Sequence, residues 1–83
     1  MVERSMTVQV DNGLEVRPIA MLVQIAGRFS SEIHIISGSR KINAKSIMGL
    51  MALGIDNGEE IVVTANGQDE NEALNAIEEY LTK

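Results

Sequence analysis

Residues 43–54 read N-A-K-S-I-M-G-L-M-A-L-G, a stretch too apolar for an ordinary short surface helix, and it limits how the chain can fold. Ser46 suits an N-cap, because its hydroxyl can accept from the free backbone N–H groups of the turn that follows. Gly54 suits the stop, since glycine takes the left-handed conformation that ends helices at no steric cost. Helical spacing puts Leu50 and Leu53 on one face and Met48 and Met51 on another. One helix in a domain this small cannot bury both faces, so the surplus face predicts a partner, for which methionine is an adaptable contact residue. The plainer alternative is a short core helix with methionines filling gaps, and composition alone favours it, because apolar stripes usually mean core.

The length of 83 residues predicts a single domain over 1–83, near the lower size at which one core suffices. With no cysteine, there is no disulfide framework, thiol nucleophile or zinc-cysteine cluster. Apolar runs are interrupted well short of membrane-spanning length, and the opening M-V-E-R-S lacks the basic-then-apolar order of a signal peptide, so the expected setting is cytoplasmic, away from membranes. The net charge of −5 is unevenly placed: residues 1–45 hold six basic against four acidic groups, whereas residues 46–83 hold only Lys83 against eight acidic ones. An acidic chain with Phe29 and Tyr80 as its only aromatics lacks the cations and stacking platforms for direct nucleic-acid binding. The acidic second half is expected to be a solvated face.

Met6, Val8 and Val10 alternate with polar residues, predicting a strand over 6–10. Asp11-Asn12-Gly13 is turn chemistry, and Pro18 predicts a helix over 18–28, because proline's missing N–H is harmless in a first turn. Ile19, Leu22, Ala26 and Phe29 form its core stripe; Arg17, Ala20, Gln24 and Arg28 fall on a smaller, more polar side. Strands are expected over 32–37 and 40–43, joined by Gly38-Ser39 as a two-residue hairpin, and over 61–66 after the Asp56-Asn57-Gly58 turn. The middle helix is expected over 46–53. Asp69 with Glu72 reads as a capping box opening a helix over 69–82, whose buried stripe is Ala73, Leu74, Ile77, Tyr80 and Leu81. The order βαββαβα predicts an α+β fold, a two-layer open-faced sandwich of a four-stranded sheet and three helices. With the helices on one face, His34, Ile36 and Val62 would lie on the open one.

Catalysis finds little support. His34 is the only histidine and stands mid-strand with no ligand or triad partner at useful spacing. No phosphate-binding loop or dinucleotide fingerprint occurs, and Glu59-Glu60 and Glu78-Glu79 read as solvated charge. No catalytic residue, cofactor site or metal site is expected.

Two stretches remain, G-x-x-x-R-P at residues 13–18 and N-x-K-S-I-M-G-L-M at residues 43–51, each setting a polar residue at a helix N-terminus where negative charge is favoured. With D-E-N-E-A-L-N-A-I-E-E at residues 69–79, they make the chain resemble the HPr family of the bacterial sugar phosphotransferase system over essentially its whole length. That resemblance implies an antiparallel sheet in the order 1423. HPr proteins carry a phosphate-accepting histidine two residues before the motif arginine, where this chain has Glu15. It is therefore similar to the family's catabolite-repression branch, Crh, in which that histidine is replaced and a regulatory serine is kept. The resemblance implies phosphorylation of Ser46 by HPr kinase/phosphorylase, then action as corepressor of CcpA, a lac-repressor-family transcription factor. It implies partner contacts at Ile47, Met48 and Met51, with Glu15, Arg17 and Ala20 beside them.

On the residues alone, Ser46 is an ordinary helix cap, and Glu15 an exposed acid near a helix N-terminus; the motif shifts the preference for Ser46 to phosphorylation. Two alternatives of other classes stand beside this. One is a phosphotransferase-system phosphocarrier using Glu15 through an acyl phosphate. The other is a self-associating structural module using the open sheet face at Ile36 and Val62; beside the kinase and the repressor, a weak homodimer is a further expected partner.

Overall fold

A computed structural model describes residues 1–10 and 16–82, with only the backbone described at Val16 and Arg17. The elements are β1 (Val2–Thr7), α1 (Val16–Gly27), β2 (Glu32–Ser37), β3 (Arg40–Asn43), α2 (Ile47–Leu53), β4 (Glu60–Asn66) and α3 (Glu70–Leu81). The four strands form one antiparallel sheet in the order β1-β4-β2-β3, as the resemblance implies. The fold is an α+β open-faced sandwich.

Register explains which side chains meet the helices. Ile61, Val63 and Ala65 of β4 stand opposite Met6, Arg4 and Val2 of β1, and Val63 and Ala65 stand opposite Ile35 and Ile33 of β2. Side chains on a strand alternate between faces, so these residues share one side, and all but the half-buried Val2 and Arg4 are buried. Ile19, Leu22 and Ala26 from α1, Leu50 and Leu53 from α2, and Ala73, Leu74, Ile77 and Leu81 from α3 close over them. Burying a side chain of this kind contributes about 1.5–3 kcal/mol, so the stripes read from spacing hold the two layers together. His34, Ile36 and Val62 fall on the opposite face, half-buried by their neighbours in the sheet.

The chain departs from its local pattern in three places. The ladder of β1 covers Val2–Thr7 and not 6–10. Past Thr7 the backbone turns to other partners: Val8 N–H donates to the Glu59 carbonyl (2.9 Å), Gly58 N–H to the Val8 carbonyl (2.6 Å), and Gln9 N–H to the Leu81 carbonyl (2.6 Å). Helix α1 begins at Val16, two residues before Pro18, which the first turn tolerates because its N–H groups have no intrahelical acceptor. The expected 11–13 turn lies outside the described residues.

The third departure is Asp69. It occupies the N-cap position of α3 but makes no side-chain cap bond. Its carboxylate reaches across the fold, accepting from Ser30 N–H (2.9 Å), Ser31 N–H (3.0 Å) and the hydroxyl of Ser31, which is fully buried. These donors stand just ahead of β2, where no strand partner serves them. Gly67 completes the junction: a Cβ there would lie 2.7 Å from the Ser31 Cα, so only glycine lets the two segments approach.

The Ser31 hydroxyl, with help from the Ser30 and Ser31 amides, holds the Asp69 carboxyl below its ordinary value of 3.8. A folded pKa below the unfolded one means that this stabilisation is fully present above the ordinary value and is lost as pH falls through the folded one. Denaturant titrations should therefore find Asp69→Asn less stable than the parent near neutral pH, with the gap closing as pH falls below 3.8. A gap of constant size across that range would contradict the ionised junction.

Candidate functional site: the Ser46 helix

Helix α2 is seven residues long, and its two ends follow from the sequence. At the start, Ser46 takes an extended backbone (φ −108°, ψ 109°) and its Oγ accepts from Gly49 N–H at 3.1 Å. Its carbonyl accepts the first helical bond, from Leu50 N–H at 3.1 Å. The preceding turn is fixed by Asn43, whose Oδ1 accepts from Lys45 N–H (2.8 Å) and whose carbonyl accepts from Ser46 N–H (3.0 Å). At the end, Gly54 is left-handed with φ 65°.

Gly49 sets how closely α2 can lie on β3. A Cβ on residue 49 would come 2.7 Å from Ile42 Cγ2 and 3.2 Å from Ser46 Oγ. Its absence lets the helix drop onto the edge strand, with Leu50 fully buried and Leu53 nearly so. The opposite side is left in water: Ile47 is 44% exposed, Met48 83% and Met51 48%. The two faces expected from the spacing are thus both present, one in the core and one exposed, without a partner among the described residues.

Ser46 is half-buried at the rim of this apolar face. Its hydroxyl accepts the cap bond with one lone pair and keeps a second lone pair and its proton. The first turn of α2 holds no acidic residue, whereas that of α3 holds Glu70 and Glu72. Lys45 stands immediately before Ser46, its Nζ donating to the Phe29 carbonyl just beyond α1 (2.8 Å). An anion added at Ser46 would thus meet free helix N–H groups and no carboxylate in that turn.

The structure brings Ser46, Ile47, Met48 and Met51 together on α2, and places half-buried Ala20 on α1, which packs against α2. Arg17 lies in the first turn of α1; its side chain, like the whole of Glu15, is outside the described residues. Met21, 40% exposed beside Ala20, was not among the expected contacts. The signal for it was its position off the Ile19, Leu22 and Ala26 stripe, which leaves an apolar residue facing out.

A family model described as "PTS HPr component phosphorylation site" matches residues 2–83. The chain belongs to the HPr family. The HPr-like protein Crh of Halalkalibacterium halodurans is 47% identical over 83 residues, covering 100% of this chain and 99% of the relative. Phosphocarrier protein HPr of Bacillus anthracis superposes with a TM-score of 0.94 at 44% identity, covering 96% of this chain and 95% of that one. Crh of Bacillus subtilis, solved as a domain-swapped dimer, superposes with a TM-score of 0.80 at 43% identity, covering 99% and 94%. Within the HPr family, then, this is a Crh-like chain.

The burial pattern separates core from exposed surface on a single turn of helix. Leu50→Ala should cost about 2–5 kcal/mol of folding stability, the range for emptying a packed leucine site. Met48→Ala should stay within about 0.5 kcal/mol of the parent, as for an exposed position with no intramolecular role. Thermal or denaturant unfolding of the two variants distinguishes them, and comparable losses would place Met48 in the core after all.

Proposed function

We propose that this chain is a cytoplasmic regulatory protein of carbon catabolite repression, phosphorylated on Ser46 by an HPr kinase/phosphorylase and then acting as corepressor of a CcpA-like repressor. The observation that carries the proposal is the pairing of a half-exposed N-cap serine with the solvent-facing side chains of Ile47, Met48 and Met51 on the same short helix. A phosphoryl group adds about −1.5 to −2 charge, and a helix N-terminus with no acidic residue in its first turn accommodates it by about 0.3–1 kcal/mol, so the fold needs no rearrangement. What changes is the surface. An anion appears beside an apolar face, and a basic partner can hold the anion through charge-assisted hydrogen bonds while covering the methionines. Neither half suffices alone, which makes the contact a switch. Glu15, Arg17 and Ala20 extend it on the α1 side.

The chain acts through this contact and not as an enzyme. Nor is it a phosphocarrier, in this proposal: Glu15 stands where the family pattern has histidine, and a carboxylate offers no nitrogen to form a phosphoramidate. Self-association is compatible with the same role, since the Bacillus subtilis relative was solved as a dimer; a weak homodimer is accordingly expected.

Binding titrations against the repressor, with and without kinase treatment, test the proposal. Phosphorylated protein should bind far more tightly than unmodified protein. Ser46→Ala should abolish the difference while remaining folded, at a cost of about 0.5–2 kcal/mol for the lost cap. Met48→Asp should weaken the phosphorylated complex by placing a charge in its desolvated part. Equal affinity with and without phosphate would return Ser46 to a helix cap, and phosphoenolpyruvate-dependent labelling of the chain would restore the phosphocarrier alternative.

A further inference from the structure

The sequence holds three Asn-Gly pairs, at Asn12, Asn57 and Asn66. Such pairs are chemically labile. The glycine nitrogen loses its proton and attacks the asparagine side-chain carbonyl carbon, forming the C–N bond of a succinimide as ammonia leaves. Water then opens the ring at either carbonyl, yielding aspartate or isoaspartate. Water is the only co-reactant, so in a folded chain the rate depends on how firmly the glycine N–H is held.

The two described pairs differ in that respect. Gly58 N–H donates to the backbone carbonyl of Val8 at 2.6 Å, and Val8 is fully buried, so this nitrogen is fixed within the fold. Gly67 N–H donates to Oε1 of Glu70 at 3.2 Å, an exposed bond to a side chain whose same oxygen also pairs with the Met1 ammonium at 3.5 Å, so this nitrogen is held by a surface carboxylate and not by the backbone of the core. While formed, that bond restrains the reaction, because a carboxylate beside the N–H disfavours its deprotonation. We infer that Asn66 is a site of spontaneous deamidation in this protein, with the Glu70 carboxylate as its brake.

The position gives the modification consequences. Asn66 stands directly opposite Glu32 in the β4–β2 ladder, so a new carboxylate there faces an existing one, an unfavourable cross-strand pair. Isoaspartate additionally inserts a methylene into the backbone immediately before Gly67, where the chain already packs against Ser31. A shift at that point moves the neighbouring Asp69 carboxylate away from the Ser30 and Ser31 amides. The aged chain is therefore less stable than the fresh one, although every residue of the Ser46 surface is intact.

Intact protein incubated in mildly alkaline buffer, sampled over weeks, digested and resolved by liquid chromatography and mass spectrometry gives the rate at each asparagine from its own peptide. Asn66 should convert several-fold faster than Asn57. Glu70→Gln, which keeps a hydrogen-bond acceptor and removes the charge, should speed conversion at Asn66 a few-fold and leave Asn57 unchanged; a simultaneous rise at Asn57 would instead signal general loosening and count against the brake. Asn66→Asp should lower the melting temperature of fresh protein. Conversion at Asn57 equal to or faster than at Asn66, or indifference of Asn66 to the Glu70 substitution, overturns the inference.

Discussion

The close approach of α2 to β3 at Gly49 determines the chemistry of one side of the molecule. A side chain on residue 49 would run into Ile42 Cγ2, while the Gly49 amide itself donates to Ser46 Oγ. Once the helix is seated there, its rotation is no longer free: Leu50 and Leu53 must enter the core. A single helix can bury only one stripe, so Ile47, Met48 and Met51 are left outside by the same packing that makes the fold stable. The buried leucines and the exposed apolar face are thus two results of one contact. The outward methionines are not a packing defect that could be corrected without turning the helix over.

Charge is distributed consistently with that arrangement. Residues 46–83 carry eight acidic groups, yet none lies in the first turn of α2. Several have structural partners elsewhere. Asp69 holds the start of β2, Glu59 accepts from the Ser37 hydroxyl, and Glu78 pairs with Arg4 at 2.9 Å, while the same guanidinium nitrogen donates to Asn75. A half-buried pair such as Arg4–Glu78, still open to solvent, contributes about 1 kcal/mol at most, but it fixes an edge strand against a helix and keeps a carboxylate occupied there. Among the described residues, the first turn of α2 holds no carboxylate, so negative charge added there meets the helix dipole.

Much of this was legible from periodicity. Ile33 and Ile35, then Ile61, Val63 and Ala65, declare their strands by alternation, and the stripes of α1 and α3 by three-four spacing. Strand β1 was misplaced because Arg4 occupies the helix-facing parity. A charged residue at a sheet edge looks like surface in the sequence, and only the distant Asn75 and Glu78 make its inward-facing position comfortable. Asp69 misled for a related reason. Its local pattern is that of a capping box, but amides 38 and 39 residues away compete for the carboxylate and win, and no window of neighbouring residues contains them. Of the candidate site, Ser46 and the faces of α2 could be read locally; the role of Gly49 could not, since it depends on Ile42 from another element.

The location of uncovered apolar surface decides between the two faces of the sandwich. On the open side of the sheet, Ile36 and Val62 stand in one cross-strand row with Ser5 and Lys41, and His34 and Thr64 stand in the next with Glu3 and Asn43. Each apolar residue there is half-buried by its neighbours, and polar groups end both rows. A partner laid on that face would gain little from residues already half covered, and would have to desolvate the polar ends. The helical layer differs, because Met21, Ile47, Met48 and Met51 all stand exposed on α1 and α2. Transfer of apolar area from water is the dominant favourable term in association, so the helical layer is the face on which a partner gains most. Exchange of segments between copies, the mode described for the Bacillus subtilis relative, calls for neither face, since it reuses contacts that one chain already makes with itself.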